Sequence, residues 1–347
     1  MEGVSDRLFR LPKAELHVHL DGSLRPATLL ELARDRGVGL PADDVDALAD
    51  FMVVSDATSL EDYLERFAVT LSVLQDAEAL ERTAYELAID HAEENVRYLE
   101  VRFCPLLNTE AGLSPDEVLE AALAGLRRAE KETELVARVI VCALRSLPPS
   151  ASTSMAELAS AFLGRGVCGF DIAGAESGFP VSDHAEAFRL ATARDVPITI
   201  HAGEGYGAAS IRQALDVGNA RRIGHGTRLR EDDGLLTEVR RRGIPLEVCL
   251  TSNVQTGVVA SVATHPAGDY LRAGVPVTLS TDNRLMSGVT LTDEFRNAER
   301  ELEFDWPQLR AVARTGFEHA FVDPATRAGL LQTFDAAAAT LDDATPS

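Results

Sequence analysis

Cysteine is scarce in this sequence, with four residues among 347. Cys104, Cys142, Cys168 and Cys249 each lie within or at the end of a strand-like apolar run, and no two form a C-x-x-C pair. This pattern is typical of reduced thiols buried in a core rather than of a disulfide framework. It fits a cytoplasmic protein.

The sequence also lacks a long hydrophobic segment. No uninterrupted apolar run approaches the roughly 20 residues of a membrane-spanning helix. The opening residues, MEGVSDRLFRLPK, contain no apolar core long enough for a signal peptide. We therefore expect a cytoplasmic location and no membrane partner.

Basic residues are outnumbered by acidic ones, 33 against 55, which gives a formal net charge of -22. Such a surface repels phosphate backbones and anionic lipids, so nucleic acid is not an expected partner. A small neutral or cationic substrate is easier to accommodate. With 46% hydrophobic residues the chain can bury a sizeable core, which excludes a disordered protein.

Eight short apolar stretches alternate with helical patterns and predict eight β-strands. They lie at residues 12–19, 97–103, 138–144, 167–173, 197–201, 222–226, 244–250 and 276–280. Short, β-branched strands of this kind suit a parallel sheet covered by helices on its outer face. Eight βα units favour an α/β fold of the closed (β/α)8 TIM barrel type, and a doubly wound open sheet is the alternative.

Helical patterns also fill the long segment from about residue 27 to 95, after the first predicted strand. A capping box beginning at Ser59 predicts a helix start within it. No linker or composition break divides the series of strands and helices. We expect a helical insertion after the first strand and a single domain over residues 1–347.

Polar residues end several of these strands. The first ends in His17-Val18-His19, and the two imidazoles point the same way because side chains alternate faces along a strand. Other strands end in His201-Ala202-Gly203-Glu204, Gly224-His225-Gly226 and Ser280-Thr281-Asp282-Asn283. Barrel enzymes build their active sites at this face. The remaining histidines lie away from these ends and are assigned no role: His91, His184, His265 and His319.

Histidines and a carboxylate at this face favour a metal site. Three neutral imidazoles and one carboxylate can hold zinc while leaving a position for water, whose pKa the metal lowers towards neutrality. Glu204, three residues beyond His201, is free to act as an acid or base. His225, flanked by glycines, is a natural second proton handler.

The motifs, taken in order, resemble those of the adenosine deaminase family. The resemblance rests on His17-Val18-His19-Leu20-Asp21-Gly22, Asp171-Ile172-Ala173-Gly174, His201-Ala202-Gly203-Glu204, Gly224-His225-Gly226 and Thr281-Asp282, and it spans about Leu11 to Leu330. It implies a mononuclear zinc enzyme that hydrolyses the 6-amino group of a purine nucleoside, giving a 6-oxo product and ammonia. Adenosine and 2′-deoxyadenosine are the first candidates for this small-molecule substrate.

The resemblance also implies roles for matching residues. The zinc ligands would be His17, His19, His201 and Asp282. Glu204 would protonate purine N1, and His225 would take a proton from the zinc-bound water and help to stabilise the tetrahedral adduct. The substrate-binding residues would be His19, Asp21, Gly174 and Asn283, with Asp21 accepting hydrogen bonds from ribose hydroxyls and the Gly174 N–H meeting purine N3.

Asn283 departs from the family pattern, in which a second Asp usually follows the zinc aspartate and contacts purine N7. N7 is only an acceptor, and an Asn amide donates to it without needing a proton. Asn283 could instead cap the loop after the last strand, where Asn is a common turn residue.

Three other functions remain open. One is deamination of aminodeoxyfutalosine, a nucleoside that differs from adenosine at the 5′ substituent. Another is deamination of free adenine, although the related adenine deaminases tend to have Glu where Asp21 stands. A catalytically silent family member is the alternative outside enzymes.

Overall fold

A computed structural model describes residues 7–54 and 60–343 of the chain. Its strands are β1 (Lys13–His19), β2 (Val96–Phe103), β3 (Val136–Leu144), β4 (Val167–Ala173), β5 (Thr199–Ala202), β6 (Arg222–His225), β7 (Leu246–Val248) and β8 (Val277–Leu279). Each predicted strand is therefore found, with shorter bounds for β5 to β8.

The strands pair in parallel and in chain order. β1 to β4 form one hydrogen-bonded set, and β5 to β8 form a second. Single parallel bridges join Phe170 to Ile198 and Val18 to Asp282, so the two sets meet at both of their edges. This closed ring confirms the (β/α)8 barrel and rules out the doubly wound open sheet.

Helices alternate with the strands. The α-helices are Pro26–Arg36, Val45–Met52, Leu60–Leu64, Phe67–Leu71, Ala77–Glu93, Pro115–Glu132, Pro149–Phe162, Ala185–Ala193, Ala208–Asp216, Asp233–Arg242, Leu250–Gln255, Ala267–Arg272, Arg284–Ser287, Leu291–Glu301, Trp306–Glu318 and Pro324–Asp343. Short 3₁₀ helices are Pro105–Asn108, Val181–His184, Thr227–Glu231 and Val262–Thr264. Five α-helices lie between β1 and β2 in the described residues, where the sequence predicts a helical insertion.

Local sequence explains where the helix Pro115–Glu132 begins. Ser114 accepts a hydrogen bond from the Glu117 N–H while the Glu117 carboxylate reaches back to the Ser114 N–H, and Pro115 occupies the first helical position. This capping box satisfies two otherwise unpaired N–H groups. The capping box predicted at Ser59 lies outside the described residues.

Charged side chains fill part of the barrel interior. Arg102 donates to Asp171 Oδ2 at 2.7 Å and to Glu247 Oε2 at 2.9 Å, and Arg222 Nε donates to Glu247 Oε1 at 2.6 Å. All four residues are almost completely buried. Buried charges are tolerated when they are paired and hydrogen-bonded, and removing one partner is strongly destabilising. The network lies inside the barrel and holds the carboxylates of Asp171 and Glu247 in place.

The cysteines are free and buried, as the sequence predicts. Within residues 7–54 and 60–343, no helix combines the length and apolar character needed to cross a membrane.

Candidate active site

The predicted site residues converge where β1, β5, β6 and β8 end. Potential ligand atoms of His17, His201, His225 and Asp282 all lie within 4.8 Å of one another. His19 joins them, since its Nε2 lies 3.1 Å from His201 Nε2 and 3.3 Å from Asp282 Oδ1. Four imidazoles therefore surround one carboxylate, and three imidazoles with one carboxylate suffice for a zinc site that keeps an open position.

Carboxylates orient two of these imidazoles. His17 Nδ1 donates to Glu247 Oε2 at 2.9 Å, and His201 Nδ1 lies 2.9 Å from Asp171 Oδ2. With the ring hydrogens on Nδ1, the Nε2 atoms of both rings keep lone pairs that can bind a metal, as is usual for metal-binding histidines. His17 Nε2 is buried and has no hydrogen-bond partner among the described residues. This unpaired atom and its neighbours fit a metal ion.

Asp282 is held in a similar way. Its Oδ2 accepts a 2.6 Å hydrogen bond from Ser252 Oγ, while its Oδ1 faces His17 and His19. Burial opposes ionisation of Asp282, but the hydrogen bond from His17 and the nearby histidines lower its pKa well below the usual range. Asp282 also has a φ of 61°, a strained conformation that clusters at functional sites. The residue is placed to offer one ionised oxygen to a metal.

His225 has different surroundings. Its Nδ1 lies 3.0 Å from Asn253 Nδ2 rather than near a carboxylate, and its Nε2 is 3.5 Å from Glu204 Oε2. It also has a φ of 61°, a strained conformation like that of Asp282. His225 and Glu204 thus form a pair at the side of the cluster.

Glu204 is buried beside this cluster. Its Oε1 accepts hydrogen bonds from Thr256 Oγ1 at 3.1 Å and from Asn253 Nδ2 at 3.4 Å. Burial raises its pKa well above the usual range, and the charges of Asp282 and Glu176 raise it further. A glutamic acid with a raised pKa is suited to general acid catalysis.

The turn that carries Glu204 is itself anchored. The Glu176 carboxylate accepts hydrogen bonds from the backbone N–H groups of Gly203 at 3.0 Å, Glu204 at 2.8 Å and Gly205 at 3.0 Å. Gly203 has a φ of 75°, which favours glycine in this turn. The three hydrogen bonds fix the backbone from which Glu204 reaches the cluster.

Gly224 allows the histidines to approach one another. A Cβ at this position would lie 3.0 Å from His17 Cε1 and 3.2 Å from the His201 Cα. A side chain here would have to push the His17 ring aside. The glycine therefore leaves room for the neighbouring His17 ring and for the backbone of His201.

A small pocket adjoins the cluster. It is lined by His19, Leu60, Tyr63, Leu64, Phe67, Ala173, Gly174, His201, Glu204, His225, Asp282 and Asn283. Three of the four predicted substrate-binding residues are in this lining. The fourth, Asp21, is not, although it is buried and its Oδ1 has no hydrogen-bond partner among the described residues.

Asn283 precedes the short helix Arg284–Ser287 but makes no side-chain capping hydrogen bond to its described residues. Its amide packs against Gly22, where a Cβ would lie only 1.7 Å from Asn283 Oδ1. The loop-capping alternative thus receives no support, and the side chain lines the pocket instead.

Several site residues were missed from the sequence, among them Ser252, Asn253, Thr256 and His265. Ser252, Asn253 and Thr256 follow β7, and they could have been found by the criterion used for the other strands, namely polar residues at a C-terminal strand end. His265 reaches the site through Asn253 Oδ1, 3.1 Å from its Nε2, although the sequence assigned it no role. No motif in the sequence marks that contact.

A parallel eight-stranded barrel with this cluster at the C-terminal ends of its strands is typical of metal-dependent barrel enzymes. The sequence model of the family described as adenosine deaminase matches residues 12–337. The chain belongs to the adenosine deaminase family, whose members are hydrolases acting on C–N bonds of cyclic amidines.

Individual relatives agree with this assignment. An adenosine deaminase of Mycobacterium sp. (strain JLS) is 44% identical over 333 residues, which are 91% of this chain and 92% of the relative. The apo structure of an N6-methyl-AMP deaminase from Arabidopsis thaliana has a TM-score of 0.85 at 29% identity, covering 97% of this chain and 99% of the other. An amidohydrolase from Burkholderia ambifaria, solved with bound Zn, has a TM-score of 0.87 at 25% identity, covering 98% and 94%.

Proposed function

We propose that this enzyme hydrolyses the 6-amino group of adenosine and 2′-deoxyadenosine, releasing ammonia and leaving inosine or 2′-deoxyinosine. The observation that carries the proposal is the buried Glu204, whose pKa burial raises well above its usual range, beside a cluster of histidines and Asp282. Such an acid can protonate N1 of a purine whose C6 lies over the cluster. The metal ligands would be His17, His19, His201 and Asp282.

The ring contacts support this ligand set. The carboxylates at Nδ1 of His17 and His201 favour ring hydrogens on Nδ1, and His19 Nε2 lies 3.1 Å from His201 Nε2. Zinc, when bound, would lower the pKa of a water molecule towards neutrality, so that this water can lose a proton to solvent and attack C6 as hydroxide. The protein residues then orient the purine: Glu204 donates to N1, and His225 stabilises negative charge that develops on the oxygen at C6.

The pocket favours a nucleoside over a nucleotide. Its lining, as far as residues 7–54 and 60–343 describe it, contains no lysine or arginine. A 5′-phosphate is usually bound by such cations, and a chain of net charge -22 disfavours a further anion. We therefore expect adenosine rather than AMP, in contrast to the nucleotide named for the Arabidopsis relative.

A substrate panel tests the function. Ammonia release should be measured with adenosine, 2′-deoxyadenosine, adenine, aminodeoxyfutalosine and AMP at equal concentrations. The proposal requires the two adenosine nucleosides to give the highest kcat/KM. A higher value for adenine, aminodeoxyfutalosine or AMP would replace adenosine by that substrate.

Asp21→Ala is expected to lower kcat/KM for nucleosides more than for free adenine. Burial raises the pKa of Asp21 to about 7, and its unpaired Oδ1 is ready to accept a hydrogen bond. Ribose hydroxyls would supply donors and favour the ionised carboxylate, so kcat/KM for adenosine should fall about tenfold to a hundredfold. Any turnover of free adenine should change little, and the exposed Asp216→Ala serves as the control. Equal losses for adenosine and adenine would give Asp21 a structural role.

Asn283→Ala is expected to lower kcat/KM for adenosine by about tenfold to a hundredfold, because purine N7 loses a buried hydrogen-bond donor. With 7-deazaadenosine, which has a carbon in place of N7, the same substitution should cost much less. Measuring kcat/KM for both substrates in both proteins isolates the contact. An equal loss for the two substrates would refute hydrogen bonding between Asn283 and N7.

We further propose that the chain is one cytoplasmic domain. The four free, buried cysteines and the single series of βα units support this organisation.

A further inference from the structure

Asn253 contacts both Glu204 and His225. Its Nδ2 lies 3.0 Å from His225 Nδ1 and 3.4 Å from Glu204 Oε1. The residue is completely buried behind the cluster, in the helix that follows β7. One amide group therefore determines the hydrogen-bonding surroundings of both side chains.

The orientation of this amide follows from the groups on its other side. The oxygen and nitrogen of an amide have nearly the same shape, so their partners decide which is which. Asn253 Oδ1 accepts a 2.8 Å hydrogen bond from Thr227 Oγ1 and lies 3.1 Å from His265 Nε2. If His265 Nε2 carries a hydrogen, Oδ1 is the Asn253 atom near Thr227 and His265. Nδ2 is then the atom near His225 and Glu204.

The backbone decides the position of that hydrogen. His265 Nδ1 accepts a 3.1 Å hydrogen bond from the Ala267 N–H, so this nitrogen has a free lone pair. Burial lowers the pKa of His265 to about 3, and the charge of Arg230 acts in the same direction. The ring is thus neutral, its one hydrogen is on Nε2, and it donates to Asn253 Oδ1.

The consequences reach the site. Asn253 Nδ2 must donate to His225 Nδ1, which leaves the hydrogen of a neutral His225 ring on Nε2. Glu204 Oε1 faces the donors of Asn253 and Thr256, so a hydrogen on this carboxyl is held on Oε2. These two atoms, His225 Nε2 and Glu204 Oε2, lie 3.5 Å apart beside the cluster.

We propose that Asn253 and His265 are positioning residues that hold the hydrogens of His225 and Glu204 on the atoms facing the substrate. Where it concerns catalysis, this proposal rests on the proposed function. A neutral His225 then offers an N–H donor to the oxygen at C6 and has no Nε2 lone pair for a metal. This differs from the role implied by the resemblance, in which His225 accepts a proton.

The wild-type protein provides a direct test. Zinc-loaded enzyme labelled with ¹⁵N in its histidine rings should show His225 with an unprotonated Nδ1 and a protonated Nε2. The signals are assigned by their loss in His225→Gln, and the other seven histidines serve as internal references. A His225 ring with its hydrogen on Nδ1 would overturn the proposal without any further variant.

Substitutions then test the cause. Asn253→Asp keeps the shape but accepts hydrogen bonds at both oxygens, so the His225 hydrogen should move to Nδ1. The kcat should fall by about a hundredfold or more, a typical loss for disturbed proton transfer, while zinc content stays at wild type. An unchanged His225 spectrum in this variant would contradict a role for Asn253.

His265 offers a matched pair of variants. In His265→Gln the side-chain amide can replace the ring N–H as donor to Asn253 Oδ1, so the His225 spectrum and kcat should remain close to wild type. In His265→Leu the donor is lost, and both should move towards the Asn253→Asp values. Identical spectra in the two variants would show that His265 does not orient Asn253.

The spectra and the kinetics separate the two proposals. Absence of adenosine deamination together with the expected His225 tautomer would refute the function and leave the positioning pair intact. Deamination together with the opposite tautomer would refute the pair alone.

Discussion

His201→Ala is expected to lose both bound zinc and turnover, with the residual rate at least about 10⁴-fold below wild type because water activation depends on the metal. The variant removes one of the three imidazoles proposed to bind the ion. It also removes the ring whose Nδ1 lies 2.9 Å from Asp171 Oδ2, so the Asp171 carboxylate loses this partner. His17→Ala should behave in the same way, because it also removes a proposed zinc ligand. In addition, Glu247 loses the ring that donates to it.

Elemental analysis of the purified variants, alongside kcat measurements, checks this expectation. The control is His319→Ala, which changes a histidine outside the cluster and should keep both metal and turnover. Circular dichroism confirms that each variant is folded, because loss of a buried partner in the charged network also destabilises the barrel. A full complement of zinc in His201→Ala would refute the ligand set.

The barrel and the location of its site could be predicted from the sequence. Eight apolar stretches separated by helical patterns leave few ways to bury a parallel sheet, and a closed ring is one of them. The C-terminal ends of the parallel strands all lie on one face of the barrel. His17, His201, His225 and Asp282 are recognisable because each is a polar residue at the point where an apolar strand ends.

The partners of these residues could not be predicted in the same way. His17 and Glu247 are separated by 230 residues, and their contact depends on which side chains of β1 and β7 meet inside the barrel. The sequence indicates which face of a strand a residue occupies, but not which residue of another strand lies opposite. The same reason hides the contact between Arg102 and Asp171.

The positions of hydrogen atoms are even harder to predict from the sequence. His265 and Asn253 affect the site only through a series of directional contacts that begins at a backbone N–H. A histidine beside Pro266 in a loop has no pattern that distinguishes it from a residue without function. The role of such a residue becomes visible only when the donor and acceptor at each step are known.

Glu204→Gln is the second substitution with a large expected effect. The glutamine can still accept the hydrogen bonds from Thr256 and Asn253 at the oxygen that replaces Oε1, so the side chain should keep its place. Its amide cannot deliver a proton to purine N1. The kcat should therefore fall by about 10² to 10⁴, the range for a lost general acid.

Zinc content separates this effect from damage to the metal site. Glu204 is not among the proposed ligands, so Glu204→Gln should bind as much zinc as wild type, whereas His201→Ala should not. Glu134→Gln, which changes an exposed glutamate, is the matched control and should retain wild-type turnover. Near-normal kcat in Glu204→Gln would mean that its raised pKa reflects burial alone and that another group protonates N1. A large fall in kcat with full zinc would assign the proton to Glu204, because the variant differs from wild type at the reacting face only in the acid hydrogen that the amide cannot give up.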